Sequence, residues 1–128
     1  MYSCIIAGSR NGVSYDDVLK AMEECPWTSE ISEVVSGKAR GVDTMGEQWA
    51  KENNVPIKEF PADWKKWGKS AGHIRNREMG DYADALVAVW DGSSRGTKHM
   101  IDYAKDKGLK VFVYDLKEQK SLLWKIFG

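Results

Sequence analysis

Five short apolar runs alternate with segments of helical periodicity, and this alternation constrains the fold more than any other feature of the chain. The runs cover residues 2–7 (Y-S-C-I-I-A), 31–36, 55–60, 83–90 (A-D-A-L-V-A-V-W) and 110–114. Continuous rather than alternating apolarity is the pattern of parallel strands buried on both faces. Between the runs, Ser14 can cap a helix with Val18, Met22 and Cys25 on one face, which Pro26 helps to end. A second helix carries Val42, Met45 and Trp49 on a common stripe and ends near Asn53-Asn54. A third spans His73 to Tyr82, and a fourth runs from Thr97 to Lys107, closed by Gly108 at the C-cap position.

Strand and helix alternating five times predict an α/β fold, a Rossmann-like three-layer domain with a five-stranded, mostly parallel sheet. No linker, repeat or low-complexity tract divides the 128 residues, so one domain is expected, with a core over residues 2–114. The tail, with Leu116, Leu122, Leu123, Ile126 and Phe127, reads as an amphipathic helix over 116–127 that packs on the domain or on a second subunit, making a homo-oligomer the expectation. With strand order 3-2-1-4-5, the ligand crevice lies outside the carboxyl ends of strands one and four, where the order reverses.

Nineteen basic and nineteen acidic residues leave a formal net charge of zero, so nucleic-acid binding, which needs a basic track, is not expected. Any anion site must be local. Two cysteines are too few for a disulfide framework, and with His73 and His99 they form no metal-ligand pattern; neither a metal nor a cofactor is expected. The sequence contains no long apolar run and no basic-then-apolar leader, which predicts a cytoplasmic protein without a membrane span.

Three strand-to-helix loops combine glycine, hydroxyls and arginine: Gly8, Ser9 and Arg10; Ser36, Gly37, Arg40, Gly41 and Asp43; and Gly92, Ser93, Ser94, Arg95, Gly96 and Thr97. Glycine lets backbone amides approach a phosphate, helix N-termini present unpaired N–H groups, and arginine binds phosphate oxygens bidentately. The structural alternative is ordinary turns with Ser or Thr as helix caps. The loops are neither G-x-G-x-x-G nor Walker A in pattern, which disfavours ordinary NAD binding and nucleoside triphosphate hydrolysis. Residues 61–72 (P-A-D-W-K-K-W-G-K-S-A-G) have no clean periodicity and read as a long binding loop or lid. Trp64 and Trp67 can stack on a base there while the lysines meet phosphate; the alternative is a turn covering the core.

The run V-V-S-G-K-A-R-G-V-D at 34–43 resembles the Ser-Gly-x-Ala-Arg-Gly-Ile/Val-Asp signature of the DNA-processing protein A family and of small SLOG-superfamily proteins. F-P-A-D-W-K-K-W-G-K, A-G-H-I-R-N-R-E-M and S-R-G-T-K-H-M-I extend the resemblance to the YspA/YpsA-related SLOG group, often found in phages and prophages, over about residues 2–114. The resemblance implies binding of nucleotides, nucleotide sugars or ADP-ribose-like signals, including cyclic nucleotide signals. A phage protein of this kind would sense or sequester such a signal, as a counter-defence.

The superfamily also includes the LOG phosphoribohydrolases, with an arginine before strand four and a Pro-Gly-Gly-x-Gly-Thr-x-x-Glu loop after it. Arg75 falls at that arginine and is the candidate catalytic residue, and Gly96-Thr97 retains the Gly-Thr. The glutamate position is occupied by Met100. Cleavage of an N-glycosidic bond needs a carboxylate, and Asp43, Asp91 and Glu78 are alternatives that spacing does not separate. Three functions follow: binding a nucleotide-derived small molecule, hydrolysing a nucleoside 5′-monophosphate, or, against the charge argument, binding single-stranded DNA.

Overall fold

The computed structural model describes residues 1–118, and within them the apolar runs become strands of one sheet. The elements are β1 (Tyr2–Gly8), α1 (Tyr15–Glu24), β2 (Ile31–Ser36), α2 (Val42–Glu52), β3 (Ile57–Glu59), α3 (Trp64–Trp67), α4 (Ala71–Tyr82), β4 (Ala85–Trp90), α5 (Arg95–Asp106) and β5 (Lys110–Asp115). The sheet order is β3-β2-β1-β4-β5 and every pairing is parallel, so the expected Rossmann-like three-layer architecture is present. The register sets Ile6 beside Val87 and Val87 beside Phe112 through the middle of the sheet.

Side chains alternate across that sheet. Cys4, Ile6, Val34 and Val87 pack with Val18, Met22, Val42 and Trp49 of α1 and α2. Ile5, Val35 and Leu86 point the other way, onto Met79 of α4 and Met100, Ile101 and Ala104 of α5. Both faces are therefore covered, which explains why the strands read as continuous apolar runs. Burying a Val, Leu or Ile side chain contributes about 1.5–3 kcal/mol, and these two clusters are where the fold gains most of it.

Local chemistry sets the boundaries. Ser14 caps α1 in a full capping box: its hydroxyl accepts from the Asp17 N–H at 3.2 Å, and the Asp17 carboxylate accepts from the Ser14 N–H at 2.9 Å. Several expected boundaries are corrected. Segment 61–72 is not an irregular loop: Asp63 caps the short α3, a 3-10 turn follows over Gly68–Ser70, and α4 begins at Ala71 rather than His73. A single helical turn is too short for periodicity to reveal. Helix α5 starts at Arg95, two residues before Thr97, because Ser94 is its N-cap. Strands β3 and β4 are shorter than the apolar runs: Ala83 is the C-cap of α4, and Asp84 bonds Ser3 before the ladder starts. Of the expected C-terminal helix, residues 116–118 are helical and Leu116 is buried in the α1–α2 core; Leu122, Leu123, Ile126 and Phe127 lie outside the described residues.

Candidate functional site

The three glycine loops meet at the carboxyl ends of β1, β2 and β4, and in the first two close contacts leave no room for a side chain at Gly8, Gly37 and Gly41. At Gly8 a Cβ would strike the Val89 carbonyl; at Gly41, with φ of +81°, it would lie 2.5 Å from the Ser9 carbonyl oxygen. The Ser9 N–H donates to Val89 O at 3.0 Å, its carbonyl accepts from the Val42 N–H at 3.2 Å, and its buried hydroxyl accepts from the Asp91 N–H at 3.0 Å. Ser9 thereby bolts the first loop to the second and third. In the third, the Asp91 carboxylate accepts from the Ser93 and Ser94 N–H groups, which hold its pKa below the ordinary value, while the Ser94 hydroxyl accepts from the Thr97 N–H. Asp91 is therefore a turn residue.

A cleft of about 230 Å³ opens beside these loops, between the end of β1 and helices α4 and α5. Gly8, Arg10, Asp43, Trp64, Arg75, Ser94, Gly96 and Thr97, all expected from the sequence, line it. An adjoining recess of about 400 Å³ is lined by Gly37 and Arg40 and shares Arg10, Trp64 and Arg75 with the first. Ser9, Ser36, Gly41, Gly92, Ser93 and Arg95 line neither. Ser9 and Gly41 join the loops, and Ser36 donates its hydroxyl to the buried Glu47 carboxylate at 2.6 Å. Arg95 is exposed at the first turn of α5 and lines neither space. Arg77 and Glu78 are likewise exposed on α4, leaving Arg75 as the arginine of that helix that faces the cleft.

Arg75 is 8% exposed and held by two hydrogen bonds. One Nη donates to the Gly37 carbonyl and Nε donates to the Asn76 side-chain oxygen at 3.1 Å. Burial lowers its pKa, and the neighbouring Asp43 opposes that shift. Gly37 makes the approach possible, since a Cβ there would sit 2.7 Å from the guanidinium and 2.9 Å from the Asp43 carboxylate. Asp43, buried at the start of α2, accepts from the Ala39 N–H at 3.2 Å, and desolvation pushes its pKa up to about 6 against the pull of Ala39, Arg75 and Arg10. Arg10 is exposed and makes no ion pair among the described residues, yet it faces the same Asp43–Arg75 pair closely enough to shift both. Two guanidinium groups thus lie near one buried carboxylate, neither within ion-pair distance of it, and the excess positive charge suits an anion.

Sequence reasoning missed Asn76, His73 and Met79 on the cleft wall, which also carries Lys69, one of the lysines expected to meet phosphate. Asn76 is a hub: its oxygen accepts from Arg75, and its NH₂ reaches the Gly96 carbonyl at 3.2 Å and His99 Nδ1 at 3.1 Å. With Nδ1 accepting, His99 carries its proton on Nε2 and stays neutral. Burial and the ring of His73, stacked 4.0 Å away, lower its pKa. Trp64, 54% exposed, stands at the mouth against Gly72. Among the described residues no group of three His, Cys, Asp or Glu side chains can hold a metal, and no helix is long and apolar enough to cross a membrane.

The model of the YspA, cpYpsA-related SLOG family matches residues 3–67, from β1 through α3. The chain belongs to that family. A similar protein is the Gene 61 protein of Mycobacterium phage D29, 39% identical over 84 residues, an alignment covering 61% of this chain and 67% of the phage protein. No solved structure matches the chain. Membership in this SLOG family supports a nucleotide-related role. The matched segment supplies Arg10, Gly37, Asp43 and Trp64; Arg75, Asn76 and the β4 loop come to the cleft through the fold.

Proposed function

We propose that this SLOG protein binds a phosphate-bearing nucleotide derivative, such as an ADP-ribose-type or cyclic nucleotide signal, and holds it unchanged. The observation that carries this reading is that Arg10 and Arg75 both line a cleft at the β1–β4 switch point, beside the buried Asp43 carboxylate. Phosphate meets the guanidinium groups, Asp43 accepts from ribose hydroxyls, and Trp64 covers the base. Met100 supports holding over cutting, because a buried thioether lines the cleft where the phosphoribohydrolase resemblance calls for a glutamate. Similarity to a protein of Mycobacterium phage D29 supports a phage setting, and sequestration of a host signal is part of this proposal.

Mass spectrometry of small molecules released from the heat-denatured protein tests the proposal, followed by calorimetry against nucleoside monophosphates, cyclic dinucleotides and ADP-ribose. Tight binding with intact ligand recovered is expected. A folded protein that gives no heat with any of them would overturn it.

Asp43 favours a second reading, hydrolysis of a nucleoside 5′-monophosphate. Of the three alternative carboxylates, Asp91 is tied into its turn and Glu78 is exposed, whereas Asp43 lines the cleft with a pKa of about 6, suited to proton transfer near neutrality. In that reaction water adds to C1′ of the ribose, the N-glycosidic bond breaks, and the base leaves with a proton. Free base appearing on incubation, and absent with Asp43→Asn, is the result expected of this reading; chromatography showing intact substrate at stoichiometric protein excludes it.

A further inference from the structure

The hydrogen bonds around Asn76 form a relay that begins outside the cleft. Asn76 is buried, and its amide is oriented from both ends by groups whose roles cannot change. The Arg75 Nε–H, which only donates, meets its oxygen at 3.1 Å, and the Gly96 carbonyl, which only accepts, meets its NH₂ at 3.2 Å. The same NH₂ reaches His99 Nδ1 at 3.1 Å, so that nitrogen must present a lone pair. His99 itself lines neither cavity. Through Asn76 it is joined to Arg75, and through Arg75 to the Gly37 carbonyl of the second glycine loop. A proton on His99 Nδ1 would set N–H against N–H. Turning the Asn76 amide over is no remedy, because its oxygen would then face the Gly96 carbonyl and its NH₂ the Arg75 Nε–H. One proton therefore breaks the relay instead of rearranging it.

We propose that His99 is a positioning residue for Arg75 and the acid-sensitive end of this relay: neutral, it holds Asn76 and through it the guanidinium in the cleft; protonated, it releases them, and the cleft binds anions less well. The effect on a ligand rests on the nucleotide-binding reading, whereas the coupling of His99 to Arg75 does not. The surroundings keep His99 neutral in ordinary conditions. Its ring lies face to face with that of His73, centroids 4.0 Å apart and planes 5° apart. Burial, then His73 and Arg77 of α4, lower its pKa from the ordinary 6.5, while Asp102 of its own helix pulls the other way. The Tyr103 ring stands 6.4 Å away with its hydroxyl on Asp81, and the strands beneath α5 present Ile5, Leu86 and Ala88. The sign of the effect separates the relay from plain electrostatics. Acid adds positive charge beside the cleft and neutralises Asp43, so charge alone would tighten anion binding.

Side-chain nitrogen NMR of the isotope-labelled full chain tests the coupling without a ligand. Between about pH 8 and about pH 5, the Arg75 Nε–H and Asn76 NH₂ signals are expected to shift along the titration curve of the His99 ring. His99→Asn keeps an acceptor near the Nδ1 position and cannot titrate, so only the part of the shift that follows Asp43, present in both proteins, should remain. His99→Leu, with no acceptor, should show at neutral pH the Asn76 signals that the native protein shows in acid. Arg75 and Asn76 signals that ignore the His99 titration, or that move equally in the native protein and His99→Asn, would overturn the proposal. Calorimetry with ADP-ribose, whose diphosphate does not titrate in this range, reads the consequence. On acidification the native protein is expected to lose about two- to tenfold in affinity relative to His99→Asn, the effect of one hydrogen bond. Equal pH profiles, or native binding that tightens in acid relative to His99→Asn, would overturn it as well. Should ADP-ribose fail to bind at neutral pH while the three residues still titrate together, the nucleotide reading loses its support and the relay stands.

Discussion

At the scale of single residues, the site turns on Asp43 and Arg75, and both give measurable signatures. Asp43 has a folded pKa of about 6 against an ordinary 3.8, so between those values the folded state holds a proton that the unfolded state has released. Stability contributed by this group therefore falls as pH rises from 3.8 to 6 and is level above. Two units correspond to roughly 3 kcal/mol. Urea unfolding of Asp43→Asn against the native protein should show the variant gaining relative stability by that order between pH 4 and 7; parallel profiles would place the carboxylate in a better-solvated setting. Arg75→Met is expected to weaken nucleotide binding by about 1.5–3 kcal/mol, the range for a lost charged hydrogen bond, with Arg95→Ala near neutral in the same titration. The sequence pointed to Arg75 through family resemblance and missed Asn76, which orients it, because a side-chain relay between Arg75, Gly96 and His99 has no linear spacing to recognise.

At the scale of elements, the layers are fixed by how closely helices approach the sheet, and glycines report that distance. Gly46 on α2 lies against Ile6 of β1; a Cβ there would sit 2.8 Å from that side chain. Gly46→Ala should destabilise by about 1–3 kcal/mol despite the better helix former, because overpacking outweighs the propensity gain. Gly96 in the first turn of α5 has nothing within 4 Å of its Cβ position, and Gly96→Ala should be neutral or stabilising by up to about 1 kcal/mol. Chemical denaturation of the pair checks both signs. The strands and long helices were legible because double-sided burial writes unbroken apolar runs. The short α3 and the 3-10 turn over Gly68–Ser70 were not, since one turn of helix leaves no period and the lysines and tryptophans there face outward.

At the scale of the whole molecule, the cleft is assembled from loops and helix starts far apart in the chain: residues 8–10, 37–43, 64–76 and 94–100. The parallel topology with its reversal between β1 and β4 brings them to one edge, which is why strand order alone located the crevice. Only the folded state presents Arg10, Asp43 and Arg75 together, so a nucleotide ligand must stabilise the fold in proportion to its occupancy. At a hundred times its dissociation constant a ligand adds about 2.7 kcal/mol, which for a domain of this size raises Tm by roughly 8–14 °C. Thermal unfolding with the ligand recovered from the native protein should show that shift. It should collapse in Arg10→Ala, whose exposed side chain makes no hydrogen bond or ion pair among the described residues, while the unliganded Tm stays within about 2 °C of native because surface substitutions of this kind cost little. A full shift in a folded Arg10→Ala protein would move the anion away from the β1 loop and require a site elsewhere on the molecule.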